Sequence, residues 1–556
     1  MLFSFLKDFY ILLIMAISEF PSGLLSAGSS SHIQDLRDRV DGLLPTIKKL
    51  QQIGGSAGIS IGIMRQGEIV CDHHFGFADV ENQRVANSST RYPLGSLTKA
   101  FVATTVAQLV HEGLLEWETP ITSYIPELSF KSNPALASQL TLTDLLSHQT
   151  GLARLDAIWV GANNEVVVSK NSTVAICNEL ASLSPLRSKW IYNNWMYTLV
   201  GEIIERVTHQ SWGEVLQSRV LSKVGLSKTT VLGSEIPAES TALPYVVTDD
   251  KNQWRIGDLE LKDGQLMSSA GGVRSNIHDM LKWGETIMSS VNSDTDYPLR
   301  DIGKILSGHT FINKSFTFDE LYTLGFGKVT LPAQLGKMGF NPMLVDSMPV
   351  IQPRRESDLV FYHNGALPGY NNCLMLLPSH QTVIVVLTNS ISHGDTADWV
   401  AQALLQTVLN VEPQVDFVPL AEKAAEAWKG LYQTMAETLE KERTPNTPEP
   451  QHDDFIGKFW HSSKAQFLEV SNEDGLLTFS VNGKPSQKHV LTHYHYDSFC
   501  FLPSAEERLR RGLIVYAAPA WILHFERTTE GKVDRVIWNL DSEAPHAEVF
   551  MKSEST

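Results

Sequence analysis

Runs of aliphatic and β-branched residues stand at two distant places in this chain, and helix-patterned segments fill what lies between. The first pair is Ala57 to Met64 and Glu68 to Phe77, across an Arg65-Gln66-Gly67 turn. The second is Asn372 to Leu377 and Thr382 to Asn389, across Pro378-Ser379-His380-Gln381. Neither hairpin is stable alone. The compact solution folds both into one sheet covered by helices, with the middle of the chain as an inserted helical domain and a cleft between the two. The expected class is therefore α/β (α+β). Helices are expected at Ser30 to Gln52, where Ile33, Leu36, Val40, Leu43, Leu44, Ile47 and Leu50 recur at helical spacing, and at Thr396 to Leu409.

Within the middle, Tyr92-Pro93-Leu94-Gly95-Ser96-Leu97-Thr98-Lys99 runs into an apolar segment closed by Gly113. A helix beginning near Ser96 puts Lys99 three residues on, on the same face, with its amine in reach of the serine oxygen. A serine hydroxyl is a weak nucleophile until a base takes its proton, and lysine can be that base only if its pKa falls, as burial makes it do. The helix N-terminus also favours negative charge developing there. The pattern alone is weak, because Ser4-Phe5-Leu6-Lys7 repeats it inside an apolar leader. Its bland alternative is a capping serine beside an unrelated lysine.

At 556 residues the chain exceeds one ordinary core, and 43% apolar against 19% charged residues marks it as globular. Lys plus Arg number 45 and Asp plus Glu 62, a formal charge of −17 with no basic stripe, so no nucleic-acid partner is expected. Cys71, Cys177, Cys373 and Cys500 lack paired spacing and read as buried free thiols, with at most one disulfide. No metal or other cofactor is expected. Phe9 to Ile17 has the length of a signal-peptide core and is short for a membrane span. Residues 1–29 are read as a secretory or membrane-associated leader, so membrane association rests on that segment. The sequons at Asn87, Asn171 and Asn313 are no more than chance supplies.

After Val411 the composition changes. Pro419 to Glu442 is a charged amphipathic helix and Arg443 to Pro450 a stiff, proline-rich linker. Phe455 to Met551 then alternates in short runs with turns at Glu473-Asp474-Gly475, Asn482-Gly483 and Glu530-Gly531, the pattern of a separate all-β module, lipocalin-like or meander. The expected domains are 30–411 (catalytic), 412–452 (helix and linker) and 453–556 (all-β).

Several motifs compete for chemistry. Gly54-Gly55-Ser56-Ala57-Gly58 spells a nucleophile elbow, but that motif needs strand before serine and helix after it, and here the order is reversed. Ser56 is rejected. His493-Tyr494-His495-Tyr496-Asp497 imitates a zinc motif with Ser498 where the next histidine belongs, so it reads as an aromatic strand face. His148, after the capped turn at Thr141 to Leu146, reads as a structural histidine. Tyr192 and Asn194, in an aromatic turn that feeds a helix, would project the same way into a cleft.

Taken together, Ser96-Leu97-Thr98-Lys99, Tyr192-Asn193-Asn194 and His363-Asn364-Gly365 resemble, in chain order, the three active-site elements of the serine β-lactamase and penicillin-binding-protein superfamily. The class C branch, with its esterases, D-aminopeptidases and acyltransferases, is most similar, and the appended β module resembles that of fungal members. Leu145-Leu146-Ser147-His148, Ala270-Gly271-Gly272 and Ala366-Leu367-Pro368-Gly369-Tyr370 agree with it. The resemblance implies a β-lactamase-like sheet with an inserted helical domain over about Ser30 to Val411. It implies Ser96 as nucleophile, with Lys99 and Tyr192 sharing the base role and the lysine charge holding the Tyr192 phenol below its usual pKa of about 10. Asn194 would hold Lys99 and the substrate. The backbone N–H groups of Ser96 and of Ala366, after a His-Asn-Gly turn, would form the oxyanion hole, and Gly365 would let the substrate approach.

Relatives that hydrolyse β-lactams carry Lys-Thr-Gly at the third element. His363 and Asn364 stand in its place here, which weakens attraction for an anionic β-lactam and favours neutral ester, thioester or amide substrates. The expected function is hydrolysis of a small-molecule acyl substrate through an acyl-enzyme. Acyl transfer through the same intermediate, in secondary metabolism, and an idle scaffold are the alternatives. Substrate identity and oligomeric state are not legible in the residues.

Overall fold

Both expected hairpins enter one sheet of nine strands. The structure, a computed structural model, describes residues 22–233, 237–292, 297–314, 319–352, 357–514 and 516–553, and Phe9 to Ile17 lies outside them. The strands are β1 (Gly58–Arg65), β2 (Glu68–Asp79), β3 (Arg84–Val85), β4 (Thr310–Lys314), β5 (Asp319–Tyr322), β6 (Gly327–Thr330), β7 (Leu359–Leu367), β8 (Tyr370–Leu377) and β9 (Thr382–Thr388). Their order is β3-β2-β1-β9-β8-β7-β6-β5-β4. The join between the distant halves is the antiparallel pair β1 and β9, from Ile59 opposite Thr388 to Arg65 opposite Thr382.

Side chains alternate across this sheet, and both faces of its central strands β1, β8 and β9 are buried. Ile59, Ile61 and Ile63 face helices α1 (Ser22–Gly54), α5 (Thr396–Val408) and α6 (Phe417–Glu442), where Leu36, Val40, Ile47, Val400 and Leu404 complete one apolar layer. On the other face Val383, Val385 and Leu387 meet the helical domain, built around α2 (Thr98–His111), α3 (Asn194–Thr208) and α4 (Ile277–Ser289). Gly62 permits the close approach of α4: a Cβ there would lie 2.8 Å from Ile277 Cγ1. α2 is buried from Thr98 to Leu109 and is the axis of that domain.

The C-terminal module is a nine-stranded up-and-down barrel. Its strands are β10 (Gly457–His461), β11 (Phe467–Glu473), β12 (Leu476–Val481), β13 (Lys488–Val490), β14 (Thr492–His495), β15 (Ser498–Cys500), β16 (Ile522–Arg527), β17 (Val533–Trp538) and β18 (Glu548–Lys552). The order β13-β12-β11-β10-β18-β17-β16-β15-β14 leaves one gap, between the sequence neighbours β13 and β14. Arg511 donates to the carbonyls of Ser486 and Lys488 on one side of the gap, and Arg443 to that of Tyr494 on the other, so the edges are covered. Buried rings fill the interior, Phe455 stacking edge-on against Phe525 at 4.9 Å and Phe499 at 5.0 Å. Both expected forms, lipocalin-like and meander, share this up-and-down strand order.

The barrel is docked on the helical domain. The Gln487 side chain accepts from the Ala162 N–H at 2.7 Å and donates to its carbonyl at 2.9 Å, while Gln466 donates to Ile158 O and Asn482 to Val167 O. Lys484 pairs with Glu165 at 2.6 Å. One apolar cluster runs from Tyr92 and α2 into Phe459, Phe479 and Trp538 of the barrel. All four cysteines are free thiols, and among the described residues no helix is long and apolar enough to cross a membrane.

Candidate active site

Ser96 sits in a single 3-10 turn, Gly95–Leu97, that runs straight into α2. The turn is pressed against β7. Gly95 has φ +57°, and a Cβ on it would meet Ala366 N at 2.8 Å; a Cβ on Gly365 would meet Leu94 O at 2.1 Å. The two glycines therefore let the serine turn and the strand end touch backbone to backbone. Lys99, the second residue of α2 and one turn beyond Ser96, is fully buried. Tyr192 and Asn194 arrive from the start of α3, where Asn193 caps the helix by accepting from Trp195 N at 2.9 Å.

These four side chains converge. Tyr192 Oη donates to Ser96 Oγ at 2.6 Å, and Lys99 Nζ lies 3.1 Å from the same oxygen. Lys99 Nζ also donates to Asn194 Oδ1 at 2.8 Å and to the Ala270 carbonyl at 3.0 Å. It stands 4.8 Å from the centre of the Tyr192 ring. Asn194 Oδ1, the Ala270 carbonyl and the Ser96 oxygen give the ammonium three acceptors; once neutral, the amine can keep its N–H bonds to Asn194 and Ala270 and turn its lone pair to the Ser96 hydroxyl.

Burial decides which group holds the proton. It pushes the Lys99 amine down to about 7, with Asp156 opposing the fall and Arg154 adding to it. The Tyr192 phenol moves the other way, raised chiefly by burial while its bond to Ser96 and the Arg154 charge act against the rise. The expectation of a lowered phenol is thus corrected: at neutral pH Tyr192 is a donor, and Lys99 is the group able to accept. His363 is lowered to about 3 by burial and by the Lys99 charge. Its Nδ1 bonds the Asn364 carbonyl at 2.5 Å and its Nε2 the Tyr322 hydroxyl at 3.0 Å, so both nitrogens are engaged.

The third element is no turn. His363, Asn364 and Gly365 lie within β7, and strand alternation sends them to opposite faces. His363 and Gly365 face the serine. Asn364 faces the other layer and donates to Asp398 Oδ1 at 3.2 Å, so the structure does not bring it to the cleft. Burial keeps the Asp398 carboxyl above its usual range, while its hydrogen bonds from Asn341, Asn364 and Gln402 act against the rise. Gly365, expected to admit substrate, instead admits the Leu94 carbonyl. Ala366 is half-buried at the end of β7 beside the serine turn. His148 is buried, its Nδ1 accepting from Asn193 N at 3.1 Å, as a structural histidine would.

Sequence reading missed three contributors. Asp156 Oδ1 accepts from Asn194 Nδ2 at 3.0 Å and its other oxygen pairs with Arg154 at 3.2 Å. Leu155, between them, holds φ +43°, a conformation that costs a leucine of order 1–2 kcal/mol. The Ala270 carbonyl and the Tyr322 hydroxyl complete the surround. A backbone oxygen and a loop carboxylate carry no spacing signal, and only the Ala270-Gly271-Gly272 text marked the first of them.

Comparison with known proteins agrees with this geometry. The model of the family described as "Beta-lactamase" matches residues 45–407, and that of "Domain of unknown function (DUF3471)" matches residues 441–552. Unguisins hydrolase ungD of Aspergillus violaceofuscus is 27% identical over 242 residues, 42% of each chain, so this chain spans under half of that relative's length in the match. Unguisins hydrolase ungD' of Aspergillus campestris is 23% identical over 481 residues, 84% of this chain and 82% of that one. Among solved structures, the octameric penicillin-binding protein homologue from Pyrococcus abyssi shares the fold with a TM-score of 0.56 at 19% identity, covering 92% of this chain and 99% of that one. A family model that spans most of the chain, over a fold that brings Ser96, Lys99 and Tyr192 to one point, places this protein in the β-lactamase family of serine hydrolases.

Proposed function

We propose that this protein cleaves an ester, thioester or amide bond of a small molecule through an acyl-enzyme at Ser96. The observation that supports it is the convergence of an amine and a phenol on one serine oxygen, at 3.1 and 2.6 Å. Neutral Lys99 takes the Ser96 proton as Oγ bonds to the acyl carbon. The oxyanion is held by the N–H groups of Ser96 and Ala366. As the tetrahedral adduct collapses, Tyr192 gives its proton to the leaving group and the new ammonium of Lys99, beside the ring, steadies the phenolate until the proton passes back. Water then repeats the cycle on the acyl-enzyme.

Neutral His363, with both nitrogens engaged, offers no charge to a substrate carboxylate, and Arg154 at the rim is already paired with Asp156. A neutral acyl group is therefore the preferred substrate, and the two relatives named as hydrolases favour water over another acceptor. An active-site-directed phosphonate is expected to label the native protein and to leave Ser96→Ala unlabelled. Equal labelling of both would remove Ser96 from the mechanism. Simple p-nitrophenyl esters are expected to acylate at least about tenfold faster than a cephalosporin, since His363 is neutral and Arg154 is already paired with Asp156, which leaves the latter's carboxylate weakly held.

A further inference from the structure

The segment Arg154-Leu155-Asp156 joins the barrel to the serine. On one side Asp541, in the barrel loop after β17, accepts the Arg154 N–H at 3.0 Å and the Leu155 N–H at 2.9 Å with a single carboxylate oxygen. Its other oxygen accepts the Glu543 N–H at 3.0 Å, which fixes the carboxylate in its own loop. On the other side Asp156 accepts from Asn194, and Asn194 accepts from Lys99. The segment is also tied to α3, with Asn193 donating to the carbonyls of Leu152 and Ala153 and Trp195 to that of Leu155. Leu155 is held in the left-handed region between the two anchors. That conformation persists only where neighbours over-determine it.

We propose that Asp541 of the C-terminal barrel is a positioning residue of the active site, holding the strained Arg154–Asp156 segment so that Asp156 and Asn194 aim the Lys99 amine at Ser96. This rests on the acyl-enzyme reading above. The barrel is then part of the catalytic apparatus rather than an appended module. The charges facing Lys99 are Asp156 and Arg154, both on this segment, while Glu543 of the same barrel loop faces Arg154. The neutral rings of His148, His363, Tyr192 and Tyr197 complete its surround. Releasing the segment displaces the amine's hydrogen-bond partner and both of its charged neighbours together.

The test is single-turnover acylation of the full-length protein by a p-nitrophenyl ester across pH. Asp541→Ala is expected to slow acylation at saturating ester by about tenfold or more, since a displacement near 1 Å can cost two orders of magnitude, and to shift the acidic limb of the profile. Asp541→Asn, which keeps an oxygen acceptor for the two amides, is expected to recover most of the rate. Asp541→Ala is expected to add little in an Asp156→Ala background, because both act through one chain of bonds. Lys484→Ala, which breaks the Lys484–Glu165 pair of the same interface, is expected to keep the wild-type rate and limb. Should Asp541→Ala not fold, Asp541→Ser, with a stem too short to reach both amides, carries the same expectation. Wild-type rate and limb in the folded Asp541 variant, or an equal loss in Lys484→Ala, would overturn the proposal. Acylation that persists in Ser96→Ala would instead overturn the reading beneath it.

Discussion

At the scale of the residue, one buried lysine carries the chemistry. Lys99 must be neutral to accept a proton, and burial brings its pKa to about 7, so acylation is expected to rise with pH through that value. The sign is fixed: below about 7 the ammonium has three donors and no lone pair, and above it the lone pair faces Ser96. A pre-steady-state profile that stays flat from pH 5.5 to pH 8.5, in the range of about one and a half units either side, would contradict this. Lys99→Met is expected to lower acylation by about a thousandfold with the fold retained, the middle of the range for a proton-transfer group. Tyr192→Phe is expected to spare amine-independent binding of ester and to lower turnover by about a hundredfold or more, most for poor leaving groups that need the phenol proton. Comparing p-nitrophenoxide with an alkoxide leaving group checks it.

At the scale of the element, the serine turn and β7 are one unit because two glycines lie between them. Gly365→Ala would force a methyl to 2.1 Å from the Leu94 carbonyl, so the turn must move. The expected destabilisation is about 1–3 kcal/mol, a few degrees in melting temperature, with acylation falling further than stability alone explains. Thermal melts beside acylation rates measure it. Much of this element was legible beforehand. The Ser96-x-x-Lys99 spacing and the α3 turn could be read because each is local, whereas the contact that Gly95 and Gly365 permit joins two remote segments and could not. What could not be read was which way the third element faces: strand alternation would have put Asn364 behind the sheet, but taking His-Asn-Gly as a turn removed the alternation from view. The Tyr192 pKa went the wrong way for a similar reason, since the benefit of a nearby lysine was plain in the sequence and the cost of burial was not. Asp156 was invisible because a loop carboxylate acquires its role only from the chain that meets it.

At the scale of the molecule, the two sheets are distinct but the apolar interior is continuous from α2 into the barrel. Calorimetry is expected to show a single cooperative transition, and two well-separated transitions would show that the barrel is thermally independent. Gln487→Ala, which strips both hydrogen bonds from the buried Ala162 backbone, is expected to lower that transition by an amount equivalent to about 1–3 kcal/mol. The whole arrangement exists to bring remote segments to Ser96, and one measurement addresses that most directly: mass analysis of the peptide containing Ser96 after a rapid acid quench of the protein with a p-nitrophenyl ester. The account predicts the mass of the acyl group on that peptide in the wild type, early and in proportion to released p-nitrophenol, and its absence from Ser96→Ala and Lys99→Met. An acyl group found on another peptide, or found on the Ser96 peptide of Lys99→Met at the wild-type rate, contradicts it.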